Sequence, residues 1–219
     1  MINKKLKDLR TAARRLTRWE ASHQAFGHLE TITKDDSLFE FYCYMRMLTD
    51  LKHNYHIEFI KGAPGNVFPK GPAKKEGKPR FHINHKATSK KYQLCYGTTI
   101  RLSNCAPTTH APDISLQDIS ASEDPTEIDV QVIWDAKYKE KESSLGVSLL
   151  REFAMNVVDF RLQIAPSTPL AFRHLTSFNT NCLITNGTIS DRHEQYCTDR
   201  IIRQIGSFQK GYHLMQTVG

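Results

Sequence analysis

Ile128-Asp129-Val130-Gln131-Val132-Ile133-Trp134-Asp135-Ala136-Lys137-Tyr138 is the stretch from which the rest of the chain can be read. Its even positions (Ile128, Val130, Val132, Trp134, Ala136, Tyr138) are all apolar, and its odd ones are Asp129, Gln131, Ile133, Asp135 and Lys137. A period of two predicts a β-strand over 128–138 with one face in the core. Asp135 and Lys137 then project from the other face, with their Cα atoms roughly 7 Å apart by strand rise.

A carboxylate and a lysine at i and i+2, bordered by apolar neighbours, can hold a divalent cation and a water together. The carboxylate is a hard oxygen ligand suited to Mg²⁺. The lysine can orient an attacking water or stabilise developing negative charge. One carboxylate holds Mg²⁺ poorly, so a second is expected to converge. Pro112-Asp113 supplies one on the facing arm of a predicted hairpin, 22 positions upstream (135 minus 113). Asp129 shares the face of Asp135 but lies roughly 20 Å away along an extended strand, too far to share one ion. The alternative for Asp135 and Lys137 is an ion pair on a sheet face with no metal.

Pro112-Asp113 followed by Asp135-Ala136-Lys137 resembles the PD-(D/E)xK signature of restriction-endonuclease-like nucleases, and Ile133 to Tyr138 is similar to the form seen in McrC-like restriction nucleases. That family begins its core with a glutamate-bearing helix, and Glu40 fits this position, with Tyr44, Met47 and Leu51 on its own helix face. The resemblance implies that Asp113, Asp135 and the Ala136 carbonyl bind metal, Mg²⁺ or else Mn²⁺. It implies that Lys137 positions the nucleophilic water and that Glu40 binds a second metal or shapes the first. An interior salt bridge is the other reading of Glu40. The implied activity is endonucleolytic hydrolysis of DNA, with RNA also compatible, in restriction or anti-phage defence. The implied partners are a second copy of the chain and a separate NTPase, since no phosphate-cradling Gly-rich loop occurs here. A non-catalytic nucleic-acid-binding or scaffold subunit is the competing class.

Outward from the strand, residues 1–35 read as a basic helical arm and 36–219 as the nuclease domain. Asp35-Asp36-Ser37 marks a helix start, and Leu38 to about His53 is apolar nearly all round, as a buried helix is. Residues 62–91 have loop composition, with short strands at 57–60 and 80–83. This loop carries Lys70, Lys74, Lys75, Lys78, Arg80, Lys86, Lys90 and Lys91. Lys74, Lys75, Lys78 and Arg80, with Arg14 and Arg15 of the arm, are candidate nucleic-acid contacts. A solvated basic surface explains the same residues without a partner. Strands are predicted at 92–102, 114–116 and 182–185, a helix over 145–162, and a last helix from Ser190-Asp191 to about Ile205. The fold class is therefore α/β, a restriction-endonuclease-like central mixed sheet flanked by helices.

Composition is consistent with this. The net charge is +7 and the pI about 9.1, a balance that favours polyanions. No stretch reaches the roughly 20 apolar residues of a membrane span. The N-terminus lacks the apolar core of a secretory signal, which leads to a cytoplasmic expectation. The five cysteines form no C-x-x-C pair. The spacings of His82, His85, Cys95, Cys105 and His110 match no recurring zinc pattern, and no nucleophile elbow for Ser/His/Asp hydrolysis is present.

Overall fold

The structure, a computed structural model, describes residues 4–103, 108–139, 143–162 and 180–208. Among these residues, seven strands form one mixed sheet: β1 (Tyr55–Ile60), β2 (Arg80–His85), β3 (Lys91–Tyr96), β6 (Ile114–Asp118), β7 (Val130–Lys137), β8 (Asn181–Thr185) and β9 (Ile202–Ile205). They are ordered β1-β2-β3-β6-β7-β8-β9, and a two-stranded sheet of β4 (Ile100–Arg101) and β5 (Thr109–His110) stands apart. Pairing is antiparallel from β1 to β7 and parallel from β7 through β9. Parallel neighbours need a crossover. Here α4 (Val147–Asp159) lies between β7 and β8, and the short α5 (Glu194–Asp199) between β8 and β9.

Helices cover both sheet faces, so the central strands are apolar on both sides. Val132, Trp134 and Ala136 of β7 and Cys182 and Ile184 of β8 join α1 (Lys4–Thr17), α2 (His23–Thr31) and α3 (Asp35–Leu51) in one cluster. Ile133 and Leu183, on the alternate face, pack with Leu150, Phe153 and Val157 of α4. Helix α3 is buried nearly all round, as its composition predicts. The N-terminal helices belong to the same packed body, because Leu9 and Ala13 of α1 and Ala25 and Leu29 of α2 are core residues. Arg10 donates to the carbonyls of Leu29 (3.2 Å) and Ile32 (2.9 Å) at the end of α2, where helical carbonyls lack intrahelical partners.

Three elements depart from the sequence expectations. The strand predicted over 128–138 begins at Val130, because Glu127–Asp129 is a 3₁₀ turn closed by a capping box. Its Asp129 carboxylate accepts from the Thr126 amide at 2.8 Å, which leaves Ile128 74% exposed. The strand predicted over 92–102 stops at Tyr96, where Gly97 turns away with φ +55°. The helix predicted up to about Ile205 ends at Asp199, and Ile201 (φ +54°) redirects the chain into β9. Ile202 and Ile205 are buried three residues apart, a spacing that reads equally well as a helix face. Pairing with the exposed edge of β8 decides in favour of the strand.

Among the described residues no helix is long and apolar enough to cross a membrane. Cys43, Cys95, Cys182 and Cys197 are free and buried, and Cys105 lies outside the described residues.

Candidate active site

The β6–β7 hairpin sets the site. Ile114 pairs with Trp134, so Asp113 falls opposite Asp135 just beyond the last pair of the ladder. The Asp113 amide donates to Asp135 Oδ1 at 3.2 Å, and the Ala136 amide donates to Asp113 Oδ2 at 2.7 Å. Each aspartate is thus locked to the facing strand. Lys137, two residues beyond Asp135 on the same face, brings its Nζ to 3.8 Å from Asp113 Oδ2 and 3.9 Å from Asp135 Oδ2. These are ion-pair distances outside hydrogen-bond range. The end of β7 is fixed from β8: Thr185 Oγ1 donates to the Lys137 carbonyl (2.7 Å), and Asn186 exchanges hydrogen bonds of 2.7 and 2.8 Å with the Lys139 backbone.

Glu40 approaches from α3, which packs on β7. Burial, opposed by Lys137 and reinforced by Asp36 and Asp135, leaves its pKa above the usual carboxylate value, and a hydrogen bond with Tyr96 acts in the lowering direction. Asp113 is pushed well above the ordinary range, first by burial and then by the charges of Asp135 and Glu40. Lys137 and the Ala136 amide offset this only in part. For Lys137 burial acts downward, but Asp135, Asp113, Glu40 and Glu152 together hold the ammonium above its normal pKa. Two of these carboxylates, Asp113 and Asp135, lie within 4 Å of the ammonium, and Glu40 and Glu152 act on it from farther away, so negative groups outnumber the one cation. Two like charges directly opposed on neighbouring strands are destabilising unless a cation lies between them.

The geometry brings Asp113, Asp135, Ala136 and Lys137 together and sets Glu40 at longer range. Among the described residues no three His, Cys, Asp or Glu side chains are close enough to hold a metal ion by themselves. Glu40 is accordingly an electrostatic neighbour of the Asp113–Asp135 pair, and its expected role as a direct ligand gains no support. Asp129, discounted for its distance along the strand, serves as the cap of the turn before β7.

The candidate nucleic-acid contacts separate sharply. Lys75 is a correction: it is 1% exposed, and its Nζ donates to Gln117 Oε1 (3.1 Å), the Ala121 carbonyl (3.0 Å) and the Ser122 carbonyl (3.0 Å). An ammonium so enclosed cannot meet a phosphate. It bridges the 62–79 loop to β6 and the turn beyond, a role the loop's polar composition concealed. Arg80 bonds Glu123 at 2.8 Å, Lys78 reaches Asn66 Oδ1 at 3.4 Å, and Arg14 pairs with Glu30 at 3.0 Å. Lys74 and Arg15 are exposed.

A cavity of about 140 Å³ opens beside the aspartates, bordered by Ser37, Glu40, Lys70, Tyr96, Gly97 and Asp113 among others. Tyr96 and Lys70 were not legible as site residues. Tyr96 reads as one more apolar strand position, and Lys70 as one of many loop lysines. The only hint was its Pro69-Lys70-Gly71-Pro72 setting, a stiff turn.

Compared with family models, with curated proteins and with solved structures, the chain finds no match.

Proposed function

We propose that this protein is a metal-dependent nuclease, hydrolysing phosphodiester bonds of DNA or RNA, with its site on a restriction-endonuclease-like core. One observation carries the reading: two carboxylates opposed across β6–β7 with a lysine 3.8 and 3.9 Å from them. The fit to a cation rests on charge. Burial and like-charge crowding raise Asp113, and a divalent ion between the two aspartates would relieve that repulsion. Asp113, Asp135 and the Ala136 carbonyl would hold Mg²⁺ or Mn²⁺, with water and substrate oxygens completing the shell, as Mg²⁺ prefers. When bound, the ion would neutralise charge developing on the phosphate.

The remaining chemistry belongs to the side chains. Lys137, kept protonated, donates a hydrogen bond to the attacking water and cannot act as its base. Glu40, with its raised pKa, is the neighbouring carboxylate suited to receive the proton the water loses. Attack forms one P–O bond and breaks the bond to the leaving oxygen, which takes a proton from solvent. A role in restriction or anti-phage defence, dimerisation and a separate NTPase partner are further parts of the proposal and rest on the motif resemblance. The absence of a three-carboxylate cluster among the described residues favours a second reading, a non-catalytic nucleic-acid-binding or scaffold subunit.

Cleavage of duplex DNA, single-stranded DNA and RNA in Mg²⁺, Mn²⁺ or EDTA separates these readings. The expected result is metal-dependent cutting by the wild type that is lost in Asp135→Ala and Lys137→Ala. Cutting that survives both substitutions overturns the site. Binding without cutting on any substrate selects the second reading.

A further inference from the structure

The 62–91 segment holds most of the chain's clustered positive charge, and the structure assigns much of it to internal work. Lys75 is buried, Lys78 and Arg80 face Asn66 and Glu123, and Lys86 donates to the carbonyls of Lys52 (2.8 Å) and His53 (2.9 Å). Lys70 differs. It is exposed, and among the described residues it is the one cation bordering the cavity that also contains Glu40 and Asp113.

Its position is fixed by backbone. Pro69 and Pro72 restrict the turn on either side of Lys70-Gly71. The Ala73 amide donates to the Gly97 carbonyl at 3.1 Å, and the Thr99 amide to the Ala73 carbonyl at 2.8 Å. The Gly97 amide in turn donates to the Asp113 carbonyl at 2.8 Å. Gly97 takes φ +55°, and a Cβ there would stand 3.1 Å from Pro69 Cγ. One glycine therefore ties the Lys70 turn to the aspartate hairpin. The cavity lining holds one cation and two carboxylates, and the Tyr96 hydroxyl at the strand end donates to the Ser37 carbonyl of α3 at 3.4 Å. An anion whose charge is shared with a cation at Asp113 could enter such a space, whereas a free anion would meet two carboxylates with Lys70 alone to offset them.

We propose that Lys70 is a phosphate-binding residue that seats one backbone phosphate of the nucleic-acid strand in this cavity, beside the Asp113–Asp135 pair. The proposal rests on the nuclease reading for the identity of the strand, but it makes a separate claim about where a phosphate sits. Lys70 contributes charge and position, and no bond to it forms or breaks.

The test uses the full chain and a short single-stranded oligonucleotide bearing a 5′-phosphate, with Ca²⁺ present so that binding is read without turnover. Affinity is measured across a salt series for the wild type, Lys70→Ala, Lys70→Arg and Lys61→Ala. Lys61 is exposed and does not border the cavity. The expected result is at least about a tenfold loss in Lys70→Ala, as for one charge-assisted contact, with recovery in Lys70→Arg. The log–log salt slope should fall by about 0.7, the release from one single-strand phosphate. Lys61→Ala should keep the tight, cavity-bound component. Wild-type affinity in Lys70→Ala overturns the proposal, as does an equal loss in Lys61→Ala. A parallel Mg²⁺ cleavage arm keeps the two claims apart. Lys70-dependent binding with no cleavage by the wild type overturns the nuclease reading and leaves the phosphate seat standing. Wild-type cleavage that Lys70→Ala leaves unchanged does the reverse.

Discussion

Replacing Lys137 with Met tests whether the lysine holds the two aspartates in place. Met keeps most of the aliphatic stem and removes the ammonium, whose Nζ lies 3.8 and 3.9 Å from Asp113 and Asp135. At an effective dielectric of about 20, each contact corresponds to roughly 4 kcal/mol of gross attraction. Much of that is returned as solvation when the lysine unfolds into water, and its side chain is already 33% exposed. Truncating one partner of a fully buried pair costs about 3–5 kcal/mol, and of an exposed pair about 0.2–1 kcal/mol. Lys137 lies between these limits, so the expected loss is about 2 kcal/mol in EDTA at pH 8. Urea denaturation reads it as a lower midpoint at unchanged m-value. In an Asp113→Asn background the same replacement should cost less than about 1 kcal/mol, because one of the two charges it served is gone. A neutral or stabilising Lys137→Met in EDTA, or no coupling to Asp113, would refute the electrostatic account of the site.

Asp113→Asn alone should raise stability in EDTA at pH 8. The Asp113 pKa is elevated by burial and by Asp135 and Glu40, so the stability its protonated form confers is complete below the unfolded value and lost as pH rises through the folded one. Adding about 10 mM Mg²⁺ should stabilise the wild type by about 1.4 kcal/mol for a Kd near 1 mM, some 3–6 °C in Tm, and leave the Asn variant unmoved by calorimetry. His28, 1% exposed among Phe41, Phe68 and Tyr96, has its pKa lowered to about 4 by burial and then by Lys70. The unfolded chain therefore binds the extra proton between pH 6.5 and 4, and stability should fall with pH there by about 3 kcal/mol in total; in His28→Phe, denaturation midpoints across this range should lose that slope. Lys75→Met should destabilise by about 3 kcal/mol, because two buried acceptors and one part-buried acceptor lose their donor, while the salt slope of oligonucleotide binding stays at the wild-type value.

The chain's own order of residues was enough for the central strand, its partner hairpin arm and the face shared by Asp135 and Lys137, because side-chain alternation is a local property of an extended backbone. It was also enough for the buried helix carrying Glu40, since an all-round apolar helix has nowhere else to go. The start of β7 was not legible. The Thr126–Asp129 capping box outcompetes alternation by satisfying backbone amides locally, and Ile128 is left in solvent as a result. Strand β9 was hidden for a different reason. Ile202 and Ile205 satisfy helix and strand alike, and only the free edge of β8 selects between them. The fate of each loop cation was equally a matter of tertiary structure. Lys70, Lys74 and Lys75 are indistinguishable as letters. Burial against Gln117 and the Ala121 and Ser122 carbonyls makes one structural, solvent leaves another free, and the Gly97 tether carries the third to the rim of the Asp113 cavity. Long-range contacts of this kind depend on which strands become neighbours, a property of the assembled sheet that no local pattern encodes.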